Sequence, residues 1–74
     1  MTEQIKSKIK FLAKKAANYW NSLTEEQKQE YMDNGTATVF EHVDLTAYMT
    51  IVHADNDFSL FDRLEEEFWN LVED

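Results

Sequence analysis

Carboxylates are the chemically active groups that this 74-residue chain supplies in quantity, with fifteen Asp and Glu against seven Lys and Arg. Many of them recur three or four residues apart, and on a helix this spacing places Cβ atoms about 5–6 Å from one another. Such groups could bind a metal ion, act as a general acid and base, or present a row of negative charge to a cationic partner. Each role needs different residues around the carboxylates.

A metal site is the first of these roles. The ligand spacing of a calcium-binding EF-hand loop is matched, at its first, third, fifth and twelfth positions, by Asp55, Asp57, Ser59 and Glu66. Leu60, however, stands where that loop needs glycine for its sharp turn, and Asp62 replaces an apolar residue. A polar turn before an N-capped acidic helix explains the same residues. His42 and His53 have no supporting ligand pattern and are expected at the surface or half buried, so no metal site is predicted.

Catalysis is the second role, and the sequence argues against it. The chain has no cysteine, no glycine-rich phosphate loop and no nucleophile elbow. A domain of 74 residues hardly encloses a pocket of the size that substrates need. We therefore predict a protein that is not an enzyme and that needs no cofactor.

The charge is divided sharply along the chain, which favours the third role. Residues 1–20 carry five lysines against one glutamate, a net +4, whereas residues 21–74 carry two basic residues against fourteen carboxylates, a net −12. Summed charge governs steering and association rather than fold. The acidic part should repel nucleic acid and anionic membranes and attract basic surfaces, so the expected partner is a basic protein.

The first helix is predicted over about residues 2–22. Its apolar stripe recurs at steps of three and four residues: Ile5, Ile9, Leu12, Ala16 and Tyr19. Phe11, Ala13 and Trp20 should widen the apolar side, and lysines occupy another face. The pattern predicts a basic amphipathic helix, which either holds acidic helices through Lys–Glu pairs or mediates self-association.

The second helix is expected to begin with a capping box of Thr24 and Gln27 and to end at Asn34-Gly35. The single glycine suits the left-handed conformation that follows a helix. Tyr31 and Met32 are the only apolar residues of this helix, so it should be mostly solvated and the least stable element.

Residues 36–53 carry two patterns. Leu45, Tyr48, Met49 and Val52 follow helical spacing, and Thr38 with Glu41 could form a capping box. The same stretch is rich in Thr, Val, Ile and aromatic residues. As in a strand, one set of residues alternates with another: Leu45, Ala47, Met49 and Ile51 with Thr46, Tyr48 and Thr50. Helix is favoured, with a break near Asp44, whose side chain could cap a second piece.

The last helix should begin at Asp57 or Ser59 and run to Val72, with an apolar stripe of Leu60, Leu64, Phe68 and Leu71. Carboxylates fill the rest of its circumference. Glu73 and Asp74 follow at its C-terminus, where the helix dipole disfavours negative charge.

These elements predict an all-α fold, a compact bundle of three to four short helices in a single domain over residues 1–74. The alternative is an α+β fold with a two-stranded hairpin at about 36–53. So small a chain buries a small core and has no disulfide to stabilise it. Either tight helix packing or a second copy in a homodimer should therefore supply the stability that a disulfide would have given. No signal peptide or membrane-spanning run is visible, so a cytoplasmic protein is expected.

A short resemblance concerns residues 19–31, YWNSLTEEQKQEY. This stretch resembles the second-helix segment of HMG-box DNA-bending proteins through Trp20, Leu23, Thr24, Glu26, Lys28 and Tyr31. After Lys28 the chain departs from that family, since only Arg63 among the later residues is basic. No DNA-binding role is carried over.

The function that the sequence favours is inhibition or modulation of a nucleic-acid-binding protein by mimicry of phosphate charge, as in small phage- or plasmid-type inhibitors. Duplex DNA carries about one charge per 1.7 Å of its axis, and rows of carboxylates on rigid helices approximate such a pattern. The residues expected to bind the partner are Glu25, Glu26, Glu30, Asp33, Asp62, Glu65, Glu66, Glu67, Glu73 and Asp74. The alternative is a helix-mediated adaptor or structural oligomer that uses aromatic anchors on the last helix, Phe61 and Trp69.

Overall fold

A computed structural model describes residues 3–55 and 59–72, and in these it contains four helices and no strand. They are α1 (Glu3–Asn21), α2 (Glu25–Asn34), α3 (Ala37–Ala54) and α4 (Ser59–Leu71). The predicted all-α bundle is confirmed. The hairpin alternative for residues 36–53 is wrong, because this stretch is helical. Nowhere in the described ranges is a helix both long and apolar enough to cross a bilayer.

Helix α1 forms the centre of the bundle and packs against both α3 and α4. Its buried face consists of Ile9, Leu12, Ala13, Ala16, Ala17 and Trp20. The three alanines have almost no side chain, so the neighbouring helices can approach the α1 backbone closely. Phe11 does not widen this face as predicted, since it is 57% exposed and lies on the opposite side of the helix.

Helix α3 runs back along α1, and α4 then runs forward again. The direction of α4 follows from two ring pairs: Phe40 near the start of α3 contacts Phe68 near the end of α4, at 5.3 Å between centroids, and Tyr48 contacts Phe61 at 6.3 Å. Trp20 meets Phe68 edge-to-face at 5.8 Å. Aromatic rings from three helices therefore join in one core, in the edge-to-face geometry that such rings prefer.

Helix α3 is kinked at Asp44, as the sequence predicted. Asp44 has non-helical backbone angles (φ −159°, ψ 88°), and its Oδ1 accepts a hydrogen bond of 3.1 Å from the Ala47 N–H. Its Oδ2 lies 3.5 Å from Lys15 Nζ of α1. The Ala47 N–H, with help from Lys15 and Lys8, holds the pKa of Asp44 below its ordinary value of 3.8. Asp44 thus caps the second half of α3 and connects it to α1.

The Asp44 carboxylate should contribute to stability only while it is charged. Because its pKa is lowered in the folded state, this contribution is present above the unfolded pKa of 3.8 and is lost as the pH falls through the folded pKa. Asp44→Asn keeps a cap of similar strength without the charge. We expect the variant to have a lower melting temperature than wild type at neutral pH. The two melting temperatures should converge in strong acid, as measured by thermal unfolding across pH.

The matched control for this measurement is Glu66→Gln, which also replaces a carboxylate by its amide, at an exposed side chain in the middle of α4 with no ion pair or hydrogen bond among the described residues. If the difference in melting temperature between Asp44→Asn and wild type persists unchanged in strong acid, the charge of Asp44 does not stabilise the fold.

Helix α2 begins with the predicted capping box: the Thr24 N–H donates to Gln27 Oε1 at 2.9 Å, and the Gln27 N–H donates to Thr24 Oγ1 at 3.2 Å. It ends at Gly35, whose φ of 99° is positive as predicted, but whose ψ of 145° lies in an extended region open to glycine rather than in the left-handed helical one. The next helix therefore starts at once, at Ala37. The predicted Thr38–Glu41 capping box is wrong, because Thr38 lies inside the first turn and its hydroxyl donates to the Gly35 carbonyl at 2.7 Å.

Candidate functional site

A row of carboxylates runs along the solvent side of α2. Glu26, Glu30 and Asp33 are spaced by four and three residues, so they share one face of the helix, and all three are exposed. The inner side carries Tyr31, and no residue of α2 is buried. Asp33 accepts a hydrogen bond of 3.0 Å from the Gln29 amide, and within residues 3–55 and 59–72 no cation pairs with the row. Its negative charge faces solvent uncompensated.

Glu25 was predicted to belong with these residues, but it lies on the flank of α2. Its Oε1 is 3.7 Å from Lys28 Nζ, and its side chain is 94% exposed. Because one partner is so exposed, the pair is worth little energetically. It places a cation beside Glu25, however, and leaves the row of Glu26, Glu30 and Asp33 as the more negative surface.

A second acidic face lies on the outside of α4. Asp62 and Glu66 are four residues apart and exposed, on the side opposite the fully buried Leu64 and Phe68. Trp69 follows Glu66 by three residues and is 39% exposed. This face therefore combines two carboxylates with a large aromatic surface, and we call Asp62, Glu66 and Trp69 the α4 acidic face.

The other two predicted carboxylates of α4 are engaged within the fold. Glu65 is half buried, and its Oε2 accepts a hydrogen bond of 2.6 Å from the Thr36 hydroxyl at the start of α3. Glu67 lies on the other flank, with its Oε1 3.9 Å from Arg63 Nε. Glu65 thus fixes α4 against α3, which sequence reasoning missed because the two residues are far apart in the chain.

The remaining predicted binding residues fall outside these faces. Phe61 is half buried, and its ring packs against Phe40 and Tyr48 in the core, at 6.2 and 6.3 Å. Its position is that of a core residue rather than an exposed anchor. Glu73 and Asp74 lie outside the described residues.

Contacts around Trp20 bring α2 and α4 to the same end of the bundle. The Trp20 ring lies 6.4 Å from Tyr31 of α2 and 5.6 Å from Trp69 of α4, measured between centroids. Tyr31 is held further by a 2.8 Å hydrogen bond between its hydroxyl and that of Tyr19. This bond, with burial and the charge of Glu30, raises the pKa of Tyr31 to about 12. The hydroxyl pair connects α2 to α1.

The lysines of α1 do not neutralise either acidic surface. Lys15 pairs with Asp44 of α3, and Lys6 pairs with Glu3 of its own helix at 3.7 Å. In the part of the chain that the structure describes, no α1 lysine forms an ion pair with a carboxylate of α2 or α4. The expectation that Lys–Glu pairs from α1 hold the acidic helices is therefore not met by these contacts.

The EF-hand-like residues have another use. Both carboxylate oxygens of Asp55 accept backbone N–H groups at the start of α4, from Leu60 at 3.3 Å and from Phe61 at 3.0 Å. Asp55 therefore caps α4 from a position before the helix begins. Of the two predicted first residues of this helix, Ser59 is confirmed, and Asp57 lies outside the described residues. Within the described ranges no three His, Asp or Glu side chains are grouped as metal ligands. His42 and His53 are exposed, as expected.

Comparison with known proteins adds no relative. No family model matches this chain, and neither the curated proteins nor the solved structures contain a match. The interpretation of the two acidic surfaces therefore rests on their geometry and charge.

Proposed function

We propose that this protein is a non-enzymatic inhibitor or modulator that occupies the nucleic-acid site of a basic protein, with carboxylates in place of phosphates. The observation that carries the proposal is the exposed row of Glu26, Glu30 and Asp33, which no cation neutralises among the described residues. An uncompensated row on a helix has a fixed spacing, whereas the same charges on a loop would not.

Charge density explains why two acidic helices would be needed. Along one helix face, carboxylates three or four residues apart supply about one charge per 5–6 Å. Duplex DNA presents about one per 1.7 Å of its axis, counted over both strands. Since one row is too sparse, the α2 row and the α4 acidic face together approach the phosphate pattern better than either alone. Trp20 contacts both Tyr31 of α2 and Trp69 of α4, so the C-terminal end of α4 lies on the same tryptophan as α2, which supports this joint use.

Competition with DNA tests the proposal directly. The protein is immobilised, a bacterial lysate is applied at about 0.05 M salt, and bound proteins are eluted by a salt gradient and assayed for duplex DNA binding. We expect the retained proteins to bind DNA and to be displaced by added duplex DNA. They should elute well below 1 M salt, because at 1 M the Debye length is only about 3 Å and surface charges are screened from one another. Retained proteins that DNA does not displace would contradict phosphate mimicry.

The adaptor alternative is favoured by one observation, the exposure of Trp69 beside Asp62 and Glu66. If Trp69 is the main anchor, Trp69→Ala should weaken partner binding by at least about tenfold, as hot-spot aromatics do, and the effect should persist in high salt. If charge dominates partner binding, Trp69→Ala should cost less affinity than replacing the carboxylates by lysines. Binding measured by calorimetry at two salt concentrations separates the two, with circular dichroism as the check on folding.

A further inference from the structure

The solvent side of α1 carries an aromatic ring surrounded by lysines. Phe11 is 57% exposed, and Lys15 Nζ lies 5.6 Å from the centre of its ring. Lys8, Lys10 and Lys14 are exposed around it, and none of these three forms an ion pair with a described residue. We call Phe11 and these four lysines the α1 basic face.

A hollow adjoins this face where α1 passes the kink of α3. It has a volume of about 370 Å³ and is lined by Ser7, Lys8, Phe11, Asp44, Thr46, Ala47 and Thr50. Its wall is partly apolar, and it is large enough to admit a side chain. An acidic surface that also projects an apolar group would therefore complement the α1 basic face in both charge and shape.

The α4 acidic face has this combination, since Trp69 is exposed beside Asp62 and Glu66. Helices α1 and α4 pack against each other through their buried sides, so their exposed faces point away from each other. One copy of the chain cannot bring the two faces together. Two copies can.

We propose that the protein associates with itself head to tail, with the α1 basic face of one copy seated on the α4 acidic face of the next. Such a contact joins two different surfaces, so it continues into short chains unless the rotation between copies closes a ring. A side-by-side pairing of two α1 helices would oppose lysine to lysine and is disfavoured. Nucleic acid is a poorer occupant of the basic face, because the net charge of −8 repels it.

Salt should affect this association in both directions. At about 0.01 M salt the Debye length is about 30 Å, longer than the 18 and 20 Å of the two short dimensions of the bundle, so the net negative charges of two copies repel. At about 0.1 M it is about 10 Å, so this repulsion is screened while the touching faces still attract. Near 1 M the attraction is screened as well. Association should therefore be strongest near 0.1 M salt.

Two complementary variants test the contact. Lys10→Gln/Lys14→Gln inactivates the basic face and keeps the acidic one, whereas Asp62→Asn/Glu66→Gln does the reverse; neutral replacements are needed because two charge-reversed faces would attract each other. Sedimentation velocity at about 0.1 M salt should show wild type shifting to larger species between about 10 µM and 1 mM, and each variant alone staying monomeric. An equimolar mixture of the two should form a dimer that does not grow further. Both variants remain net negative, so simple attraction between opposite charges does not explain a mixed dimer.

Wild type that stays monomeric at about 1 mM overturns the proposal, as does a mixture of folded variants without a dimer. If a double variant does not fold, Phe11→Ser serves in its place, because Phe11 is exposed; its chain growth should be at least about tenfold weaker than that of wild type. The experiment contains no other protein. Its failure therefore leaves the proposed binding of a basic partner untouched, and failure of the DNA competition leaves self-association untouched.

Discussion

Replacing Phe40 by alanine should remove at least about a quarter of the stability of this domain. Phe40 is completely buried and contacts Tyr48, Phe61 and Phe68, at ring distances of 6.2, 6.2 and 5.3 Å. A buried Phe→Ala change costs about 3–5 kcal/mol, because apolar contacts are lost and a cavity remains. The free energy of unfolding of a domain of this size is about 4–11 kcal/mol, at roughly 0.05–0.15 kcal/mol per residue.

The chain offers a matched control in Phe11→Ala, the same chemical change on the solvent side of α1. Since Phe11 is 57% exposed, its removal should alter the free energy of unfolding by no more than about 0.5 kcal/mol. Urea unfolding followed by tryptophan fluorescence measures both variants. Equal losses from the two substitutions would show that the aromatic core is not where the structure places it.

The contrast between these two phenylalanines shows how far the sequence determines the fold. Helical periodicity was enough to predict α1 and α4 and to favour helix for α3, whereas the local signals at Thr24 and Asn34-Gly35 marked the ends of α2 and Asp44 marked the kink of α3. The prediction that Phe11 widens the apolar face of α1 was wrong although helical periodicity excludes it, because Phe11 follows Ile9 by two residues and so lies about 200° around the helix from it. Trp20 follows Ile9 by eleven residues, about 20° from it, and is 4% exposed against 57% for Phe11. Periodicity does not show which helices cover this face, because that depends on the packing of α3 and α4.

The candidate site shows the same division between local and long-range information. Exposure of Glu26, Glu30 and Asp33 follows from the spacing of α2 alone, and it was predicted. The engagement of Glu65 depends on a hydrogen bond to Thr36, and the cap of α4 depends on Asp55. Neither contact follows a short-range motif, because each requires the chain to be folded before the partners meet.

Reversing two charges of the α2 row should abolish binding to a basic partner. In Glu26→Lys/Glu30→Lys, carboxylates that would face cations become cations themselves. Like charges brought together across an interface cost several kcal/mol, so affinity should fall by at least about a hundredfold. Calorimetry against a DNA-displaceable partner from the competition experiment measures the loss, mainly near 0.1 M salt, where surface charges still interact.

The control for this prediction makes the same change in net charge elsewhere. Glu3 and Glu41 are exposed and belong to α1 and α3 rather than to either acidic surface. Glu3→Lys/Glu41→Lys should therefore weaken binding only slightly, through the long-range field. If this control loses as much affinity as Glu26→Lys/Glu30→Lys, net charge rather than a defined surface attracts the partner, and the proposed mimicry is wrong.

Neutral substitutions carry the argument one step further. Glu30 and Asp33 are like charges three residues apart, an arrangement that destabilises a helix by about 0.2–0.5 kcal/mol, and no cation pairs with either in the described chain. Both lie toward the C-terminus of α2, where the helix dipole also disfavours negative charge. Glu30→Gln/Asp33→Asn should thus raise the thermal midpoint slightly while binding weakens, because residues kept for a partner often cost stability in the free protein. A variant that gains no stability, or that keeps full affinity, would indicate that the row serves solubility alone.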